Sequence, residues 1–408
     1  DTAVIGQLGS ETLMGAVAIA AIVFNQIYWV FGFLKMGTSG FTAQASGAND
    51  WSEIAAHLSR ASLIGIVLGI ALIATQALVG PLLLWLMGAS DGVAASAMVY
   101  FDIRIWGAPA ALVNFALLGW FIGLGRSDIV FWLQLLLNVT NIGLAILFVI
   151  SFGWGVAGAG LSILLAELIA LAAGLAVAVR FLRAEGAELE RHQVFDAVEL
   201  KRMFAVNGDI MIRTFCLLFA FAVFTRQGAV AGDLTLAINA LLFSIAMISA
   251  YLLDGFAFAA ETFVGRSVGA RDRRAFDRAV ELTTLWAAIF AVIITVALFA
   301  FGGWMIELAA VKPEIRDGAM ALLAFAACVP LVGVWCFQLD GVFIGATQSR
   351  DMRNMMLISL AVFVVTAWGL VAAFGNIGLW LALYVFFVVR AITLYARLHA
   401  VRDRAFAE

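Results

Sequence analysis

The sequence predicts an all-α, multi-pass membrane protein, and its composition and apolar runs support this fold class. Hydrophobic residues make up 64% of the 408 residues, charged residues only 12%, and the mean hydropathy is +1.05. A soluble chain is nearer half apolar and a quarter charged. The apolar residues form long runs, and a helix needs about 20 of them to cross a bilayer. One core could not bury so much apolar surface, so we expect about twelve transmembrane helices.

The apolar runs place these helices one after another along the chain. Residues 1–8 would be the remnant of a first, truncated helix. Several of the later runs exceed the required length, which predicts helices that tilt or extend beyond the bilayer. The remaining predicted spans are 12–36, 56–87, 94–124, 129–152, 156–182, 203–226, 234–264, 280–308, 318–346, 354–374 and 377–398.

Basic residues predict the orientation of these spans. Seventeen of the 24 Lys and Arg residues fall on alternate connections, with dense groups at 180–202 and 266–278. The opposite connections at 9–11, 88–92 and 375–376 carry none. By the positive-inside rule, the basic side is cytoplasmic, and so are both termini.

The chain also repeats itself. "SGAND" at 46–50 parallels "VGARD" at 268–272, "FIGLGRSD" parallels "FIGATQSRD", and "GVAGAG" parallels "GNIGLW". The first two pairs share one offset, which aligns Gly47 with Gly269 and Gly123 with Gly345. That offset covers six helices, so both halves face the same way. This pattern predicts two six-helix lobes related by a pseudo-two-fold axis along the membrane normal, an architecture of transporters.

The repeat also defines the predicted domain organisation. We assign 1–182 to the first lobe, 183–202 to a cytoplasmic connecting segment and 203–408 to the second lobe. The connecting segment is rich in charged residues, which suits a crossing outside the bilayer.

Segments throughout the chain resemble the multidrug and toxic compound extrusion (MATE) family. They include "DTAVIGQLG", "FGFLKMGTSGFTAQASG", "NVTNIGLAILF" and "GWGVAGAGLS". "GDIMIRT", "LDGFAFAAE" and "DGVFIGATQSRD" are similar to its DinF-type branch. The resemblance implies two six-helix lobes around a central cleft and export of drugs and organic cations against an inward flow of H⁺ or Na⁺. It also implies that the chain lacks half of its first helix.

The resemblance makes Asp1, in the opening "DT" pair, a principal coupling residue at mid-membrane. A carboxylate in an apolar lobe is costly when ionised, so it can take up a proton on one side and release it on the other. Asn138 and Asn141 lie at i and i+3, on one face of a helix. Amides at membrane depth either join helices or line a polar pocket. The resemblance favours a pocket near Asp1.

Two departures from the family pattern bear on the coupling ion. One branch of the family has an aspartate four residues after the second asparagine, where this chain has Ala145. A threonine of the following helix is replaced by Ile163. A caged metal cation needs several hard oxygen ligands, so these losses favour H⁺, with Na⁺ as the alternative. Glu167 could partly compensate, or could join helices.

In the second half, Asp254, Glu261 and Asp340 are acidic residues within apolar runs. Charges at membrane depth require partners and suggest function, so we predict that all three bind the coupling ion or the substrate. Lys35 and Arg213 are the predicted charge partners. A purely structural ion-pair network is the alternative.

Other arginines and aromatic residues in the apolar runs have two interpretations. Arg104 and Arg390 could extend to a membrane interface. Most Phe and Trp residues are expected to face lipid or the core. Some aromatic residues, such as Tyr28 and Trp29, could line a cleft that suits aromatic cations.

The sequence favours a transporter over an enzyme. A membrane enzyme would need a clustered acidic motif, an HExxH motif or an intramembrane Ser/His pair, and the sequence contains none. We expect no cofactor and no metal site. A lipid-linked oligosaccharide flippase is the rival function, but its cavity should be basic, whereas the intramembrane charges here are mainly acidic. The expected partners are small cationic substrates and the bilayer, with no nucleic acid. We expect a monomer in the bacterial inner membrane.

Overall fold

The computed structural model describes residues 11–88, 90–187 and 191–407, and the regular elements in these ranges are helices. We number the α-helices in chain order. Their bounds are Glu11–Val30 (α1), Phe33–Gly47 (α2), Trp51–Ala74 (α3), Gln76–Leu86 (α4), Asp91–Arg104 (α5), Ala108–Gly123 (α6), Ser127–Ala145 (α7), Gly155–Ala184 (α8), Arg191–Val194 (α9), Ala197–Val230 (α10), Asp233–Gly269 (α11), Arg273–Ala309 (α12), Pro313–Gly345 (α13) and Ser349–Ala405 (α14). A 3₁₀ turn, Ile105–Gly107, joins α5 to α6, and a π-helical segment, Ile146–Ser151, extends α7.

Ten helical segments within these ranges are long and apolar enough to cross a membrane. The last of them, α14, contains Gly375 with φ 57° and ψ −132°, which interrupts the helix. Only glycine adopts such a backbone at little cost. The interruption divides α14 into two arms, 349–374 and 376–405, each long enough to span a bilayer. The prediction of an all-α, multi-pass membrane protein is confirmed.

Three predicted spans are divided in the structure. The span 12–36 is divided between α1 and α2, and the span 94–124 is interrupted by the 3₁₀ turn between α5 and α6. The apolar run 56–87 covers most of α3 and all of α4, which are separated at Thr75. The Thr75 hydroxyl donates to the Ala71 carbonyl at 2.8 Å. A side-chain hydrogen bond of this kind competes with the backbone hydrogen bonds of the helix. Because Thr75 lies within an apolar run, hydropathy alone did not predict the break.

The two halves repeat the same turn at the offset that the sequence repeat defines. Asn49 (φ 56°) and Arg271 (φ 54°) both have a left-handed backbone. Asp50 and Asp272 follow them and cap the next helix, each accepting a backbone N–H from the residue three positions later at 2.9 Å. These are the positions that the "SGAND" and "VGARD" segments align, so the sequence repeat is also a repeat of backbone geometry.

Close helix packing repeats at the same offset. In each half, two glycines four residues apart bring one helix against the backbone of another, and a Cβ at any of them would overlap that backbone. Close approach of this kind is typical of small residues in membrane helices. The pairs are Gly119 with Lys35, Gly123 with Ser39, Gly341 with Ala257, and Gly345 with Glu261. All four positions in the first half thus have an aligned counterpart in the second.

The chain divides into two compact units, the first extending to Arg202 apart from the turn 47–49, and the second beginning at Met203. A hydrophobic cluster around the fully buried Trp120 forms part of the first unit's core. Its indole N–H donates to the Ile54 carbonyl at 2.9 Å, which joins α6 to α3. In the second unit, Trp380 packs edge-on against Phe224, with ring centroids 5.2 Å apart.

Candidate functional site

A buried polar cluster lies inside the first unit, where α1, α5 and α8 pack together. We define it as Tyr28 of α1, Tyr100 and Arg104 of α5, and Glu167 of α8. The Arg104 guanidinium donates to the Tyr100 hydroxyl at 3.0 Å and lies 3.9 Å from a Glu167 carboxylate oxygen. Arg104 is 8% exposed and Glu167 5%, so this ion pair is sequestered from solvent. The first-unit cluster thus holds a cation and its counter-charge in apolar surroundings.

Aromatic rings surround the Arg104 guanidinium. Its central carbon lies 4.5 Å from the centroid of Phe24 and 5.6 Å from the centroids of both Tyr28 and Tyr100. A cation over an aromatic face is attracted by the ring quadrupole, and more strongly when water is excluded. Three rings and one carboxylate therefore form an aromatic cage that stabilises a planar organic cation, here supplied by the protein itself.

The cage keeps unused hydrogen-bonding capacity. The Tyr28 hydroxyl, one Glu167 oxygen (Oε2) and the Arg104 Nε are buried and have no hydrogen-bond partner among the described residues. Buried polar atoms normally have one, so exceptions concentrate where a protein binds ions, water or ligands. The first-unit cluster consequently has acceptor and donor atoms available for a further polar group.

The two predicted amides of α7 have different surroundings. Asn141 is partly buried, and its side-chain oxygen accepts a hydrogen bond from the Ser162 hydroxyl of α8 at 3.0 Å. Asn138 is exposed, and Ala145 is fully buried. Ser162 precedes Glu167 by five residues on the same helix. Asn141 therefore joins α7 to the helix that carries the first-unit carboxylate.

A second buried cluster lies inside the second unit and consists of Arg213 of α10, Asp340 of α13 and Arg390 in the second arm of α14. Both arginines donate to the same carboxylate oxygen, Oδ2 of Asp340. The three residues are at most 7% exposed. Two guanidinium groups against one carboxylate leave this Arg–Asp–Arg triad with a net positive charge. Desolvation makes such a charge costly unless further groups balance it.

Two more predicted acids lie on α11 in the second unit. Asp254 is partly buried and within electrostatic range of Arg390. Glu261 is buried, seven residues further along, where α11 meets Gly345 of α13. Asp254 thus supplies negative charge near the triad, and Glu261 lies at a close helix contact.

Two amides and an indole form a third polar group, where α11 meets the second arm of α14. Asn239 and Asn376 exchange side-chain hydrogen bonds, at 2.7 Å and 2.9 Å. The Trp380 indole N–H donates to the same Asn239 oxygen at 3.1 Å. This neutral network fixes the second arm immediately after the Gly375 interruption.

The structure pairs two of the predicted charged residues and shows the burial of others. Arg213 and Asp340 form an ion pair, while Lys35 of α2 is partly buried in the other unit. Asp1 lies outside the described residues. Arg104 and Arg390 do not extend to an interface, because each is buried and paired with a carboxylate.

The sequence did not predict the aromatic cage or the reciprocal amide pair. A charge in an apolar run was a usable signal for Arg104, Glu167 and Arg390. No comparable signal marked Asn239 and Asn376, whose contact depends on how α11 packs against α14.

Comparisons with known proteins identify the class of protein that this fold and these clusters define. The profile of the MatE family matches residues 1–147 and 210–368. The DNA damage-inducible protein F of Escherichia coli (strain K12) is 35% identical over 402 residues, which cover 97% of this chain and 86% of that protein. The chain belongs to the MatE family.

More distant relatives agree with this assignment. A probable multidrug resistance protein NorM of Acinetobacter baylyi is 24% identical over 420 residues, covering 98% of this chain and 90% of that protein. The crystal structure of MATE in the bent conformation superimposes with a TM-score of 0.90 at 19% identity, covering 99% of this chain and 91% of that one. This similarity shows that the fold is the MATE fold.

Proposed function

We propose that the protein is a secondary active transporter that exports small organic cations in exchange for inward-moving H⁺, by alternating access. Family membership supports transport, and the name of the NorM relative supports multidrug efflux. In alternating access, ion and substrate each shift a conformational equilibrium through their different affinities for its states. A carboxylate that both can neutralise would couple the two movements.

The aromatic cage of the first unit is the observation that carries the choice of cationic substrates. Phe24, Tyr28 and Tyr100 surround a planar, delocalised cation, with Glu167 as its counter-charge. Many organic cations are likewise planar and delocalised. The aromatic rings and the carboxylate that stabilise the Arg104 guanidinium are the groups that would also stabilise such a substrate inside the membrane.

The surroundings of Asn141 support H⁺ rather than Na⁺ as the coupling ion. Its oxygen already accepts a hydrogen bond from Ser162, and Ala145 and Ile163 provide no side-chain oxygen. A bound metal cation would need several oxygens at one point. A proton needs only one acceptor, and in this proposal Asp1 is the principal one.

Efflux from vesicles with separately imposed gradients tests this proposal. The protein is reconstituted into liposomes loaded with ethidium, a planar aromatic cation, and efflux is followed by fluorescence. We expect a pH gradient at constant Na⁺ to drive efflux and a Na⁺ gradient at constant pH to have no effect. Full efflux with the Na⁺ gradient alone would show that the coupling ion is Na⁺ and not H⁺. Failure under both gradients would contradict cation efflux.

The Arg–Asp–Arg triad favours one alternative, the translocation of a lipid-linked oligosaccharide. A pyrophosphate group requires positive charge, and the triad has two guanidinium groups for one carboxylate. Asp254 lies within electrostatic range and offsets this excess, which is why we rank the alternative second. Movement of a fluorescent pyrophosphate lipid between leaflets, with no gradient-driven ethidium efflux, would make lipid-linked oligosaccharide translocation the preferred function.

We infer that the protein works as a monomer in the bacterial inner membrane, with both termini in the cytoplasm. The basic connections support this orientation. The proposed organisation is two six-helix lobes, 1–182 and 203–408, with 183–202 crossing between them on the cytoplasmic side. Single cysteines at Ala187 and Arg274 should then react with a membrane-impermeant maleimide from the same side. Reaction from opposite sides would contradict this topology.

A further inference from the structure

A cavity of about 630 Å³ lies in the second unit, between the end of α11 and the start of α12. This volume is within the range of about 300–1,000 Å³ that is typical of small-molecule sites. Its lining residues come only from these two helices and the turn that joins them. The charge pattern predicts that this turn is cytoplasmic, because residues 266–278 contain five arginines and two aspartates.

The wall of the cavity is apolar and opens outward. Phe256, Phe263 and Trp286 are its large side chains. Phe263 is 53% exposed and Trp286 is 56% exposed, although both belong to membrane-spanning helices. Exposed aromatic side chains on such helices are accessible to lipid. A hydrocarbon chain could therefore cover this wall.

Two arginines line the cavity on the side of the turn. Arg266 ends the spanning part of α11, and Arg278 lies in the second turn of α12. Asp272, at the edge of the cavity, caps α12 by accepting the backbone N–H groups of Arg274 and Ala275 at 2.9 Å. The N–H groups at the start of α12 offset part of its negative charge, and the two guanidinium groups outnumber the single carboxylate among the lining residues.

Arg278 forms an ion pair with Glu281 at 2.8 Å. The two side chains are 62% and 66% exposed, and an exposed pair of this kind contributes little stability. A phosphate could therefore replace the Glu281 carboxylate as the partner of Arg278 at small cost.

We propose that this cavity binds an anionic phospholipid of the cytoplasmic leaflet. Its phosphate lies between Arg266 and Arg278, and one acyl chain lies along Phe263 and Trp286. Basic pockets between membrane helices on the cytoplasmic side are suited to anionic headgroups. The apolar wall distinguishes a lipid from a soluble phosphate, because only an amphipathic ligand would use both features. The lipid would occupy this cavity whether or not the protein transports cations.

Fluorescence quenching by brominated lipids tests the assignment, since Trp286 lies in the cavity wall. The purified protein is reconstituted with brominated phosphatidylglycerol or with brominated phosphatidylcholine at equal mole fraction. The signal of Trp286 is isolated by subtracting the Trp286→Phe variant. We expect stronger quenching by phosphatidylglycerol. Arg266→Gln and Arg278→Gln should each reduce this preference by about fivefold, as expected for one basic residue near an anionic surface.

Two further variants separate a defined site from general surface charge. Arg350→Gln removes an exposed arginine at the start of α14, outside the cavity, and should leave the preference unchanged. Glu281→Gln removes the competing carboxylate and should strengthen the preference. Equal quenching by the two lipids would overturn the proposal, as would an equal loss in Arg350→Gln and in the cavity variants.

Discussion

Replacing Asp340 by asparagine should strongly destabilise the second unit. The change preserves the shape of the side chain but leaves the buried guanidinium groups of Arg213 and Arg390 without the carboxylate they share. Removing one partner of a buried ion pair costs about 3–5 kcal/mol, because the remaining charge is left desolvated. For a unit of about 200 residues, each kcal/mol lowers Tm by roughly 2–4 °C. The expected decrease is therefore roughly 6–20 °C.

Thermal unfolding of the detergent-solubilised protein, followed by tryptophan fluorescence, measures this decrease. Asp277→Asn is the matched control, because Asp277 pairs with Arg402 at 2.9 Å but is half exposed. An exposed pair contributes at most about 1 kcal/mol, so this variant should lose less than about 4 °C. Adding Arg213→Gln to Asp340→Asn should restore part of the lost stability, since one uncompensated charge is removed. A decrease for Asp340→Asn no larger than that of the control would refute the reasoning.

Three further predictions concern other parts of the chain. Asp1→Asn should reach the membrane but lose pH-driven ethidium efflux; normal efflux would show that the coupling residue lies elsewhere. Tyr100→Phe should cost about 1.5–3 kcal/mol in thermal unfolding, because it loses a hydrogen bond to the charged Arg104, whereas Tyr28→Phe should be near neutral. Gly375→Ala should cost about 1–3 kcal/mol through backbone strain, whereas Gly369→Ala, in the regular part of the same helix, should not destabilise; equal effects would contradict this account.

The scaffold of this protein could be predicted from its sequence because it depends on local signals. Hydropathy identified the spanning helices, and the paired "SGAND" and "VGARD" segments marked turns with the same backbone in both halves. The glycines at 119, 123, 341 and 345 extend this repeat to helix packing, since only small residues allow such close contact. The sequence repeat therefore predicted that the two halves have the same turns and the same close helix contacts.

The polar chemistry could be predicted less well, because it does not follow the repeat. At the repeat offset, Asp254, Glu261 and Asp340 align with Gly32, Ser39 and Leu118 of the first half. The partners of a buried charge are also distant in sequence: Arg104 meets Glu167, and Arg213 meets Asp340 and Arg390. Single residues at membrane depth were recognisable as charged, but their pairing depended on tertiary packing that no local pattern records.

The contact between Asn239, Asn376 and Trp380 has a consequence for a transporter driven by acidity. Amide and indole groups neither gain nor lose protons over the physiological pH range. This junction adjoins Gly375, on the side that the charge pattern predicts to face the more acidic compartment. At the ends of the two arms that are distant from Gly375, Asp351 forms ion pairs with Arg397 and Arg404. In the proposed orientation, the end of the arms that meets the acidic compartment is therefore held by bonds whose strength is independent of pH.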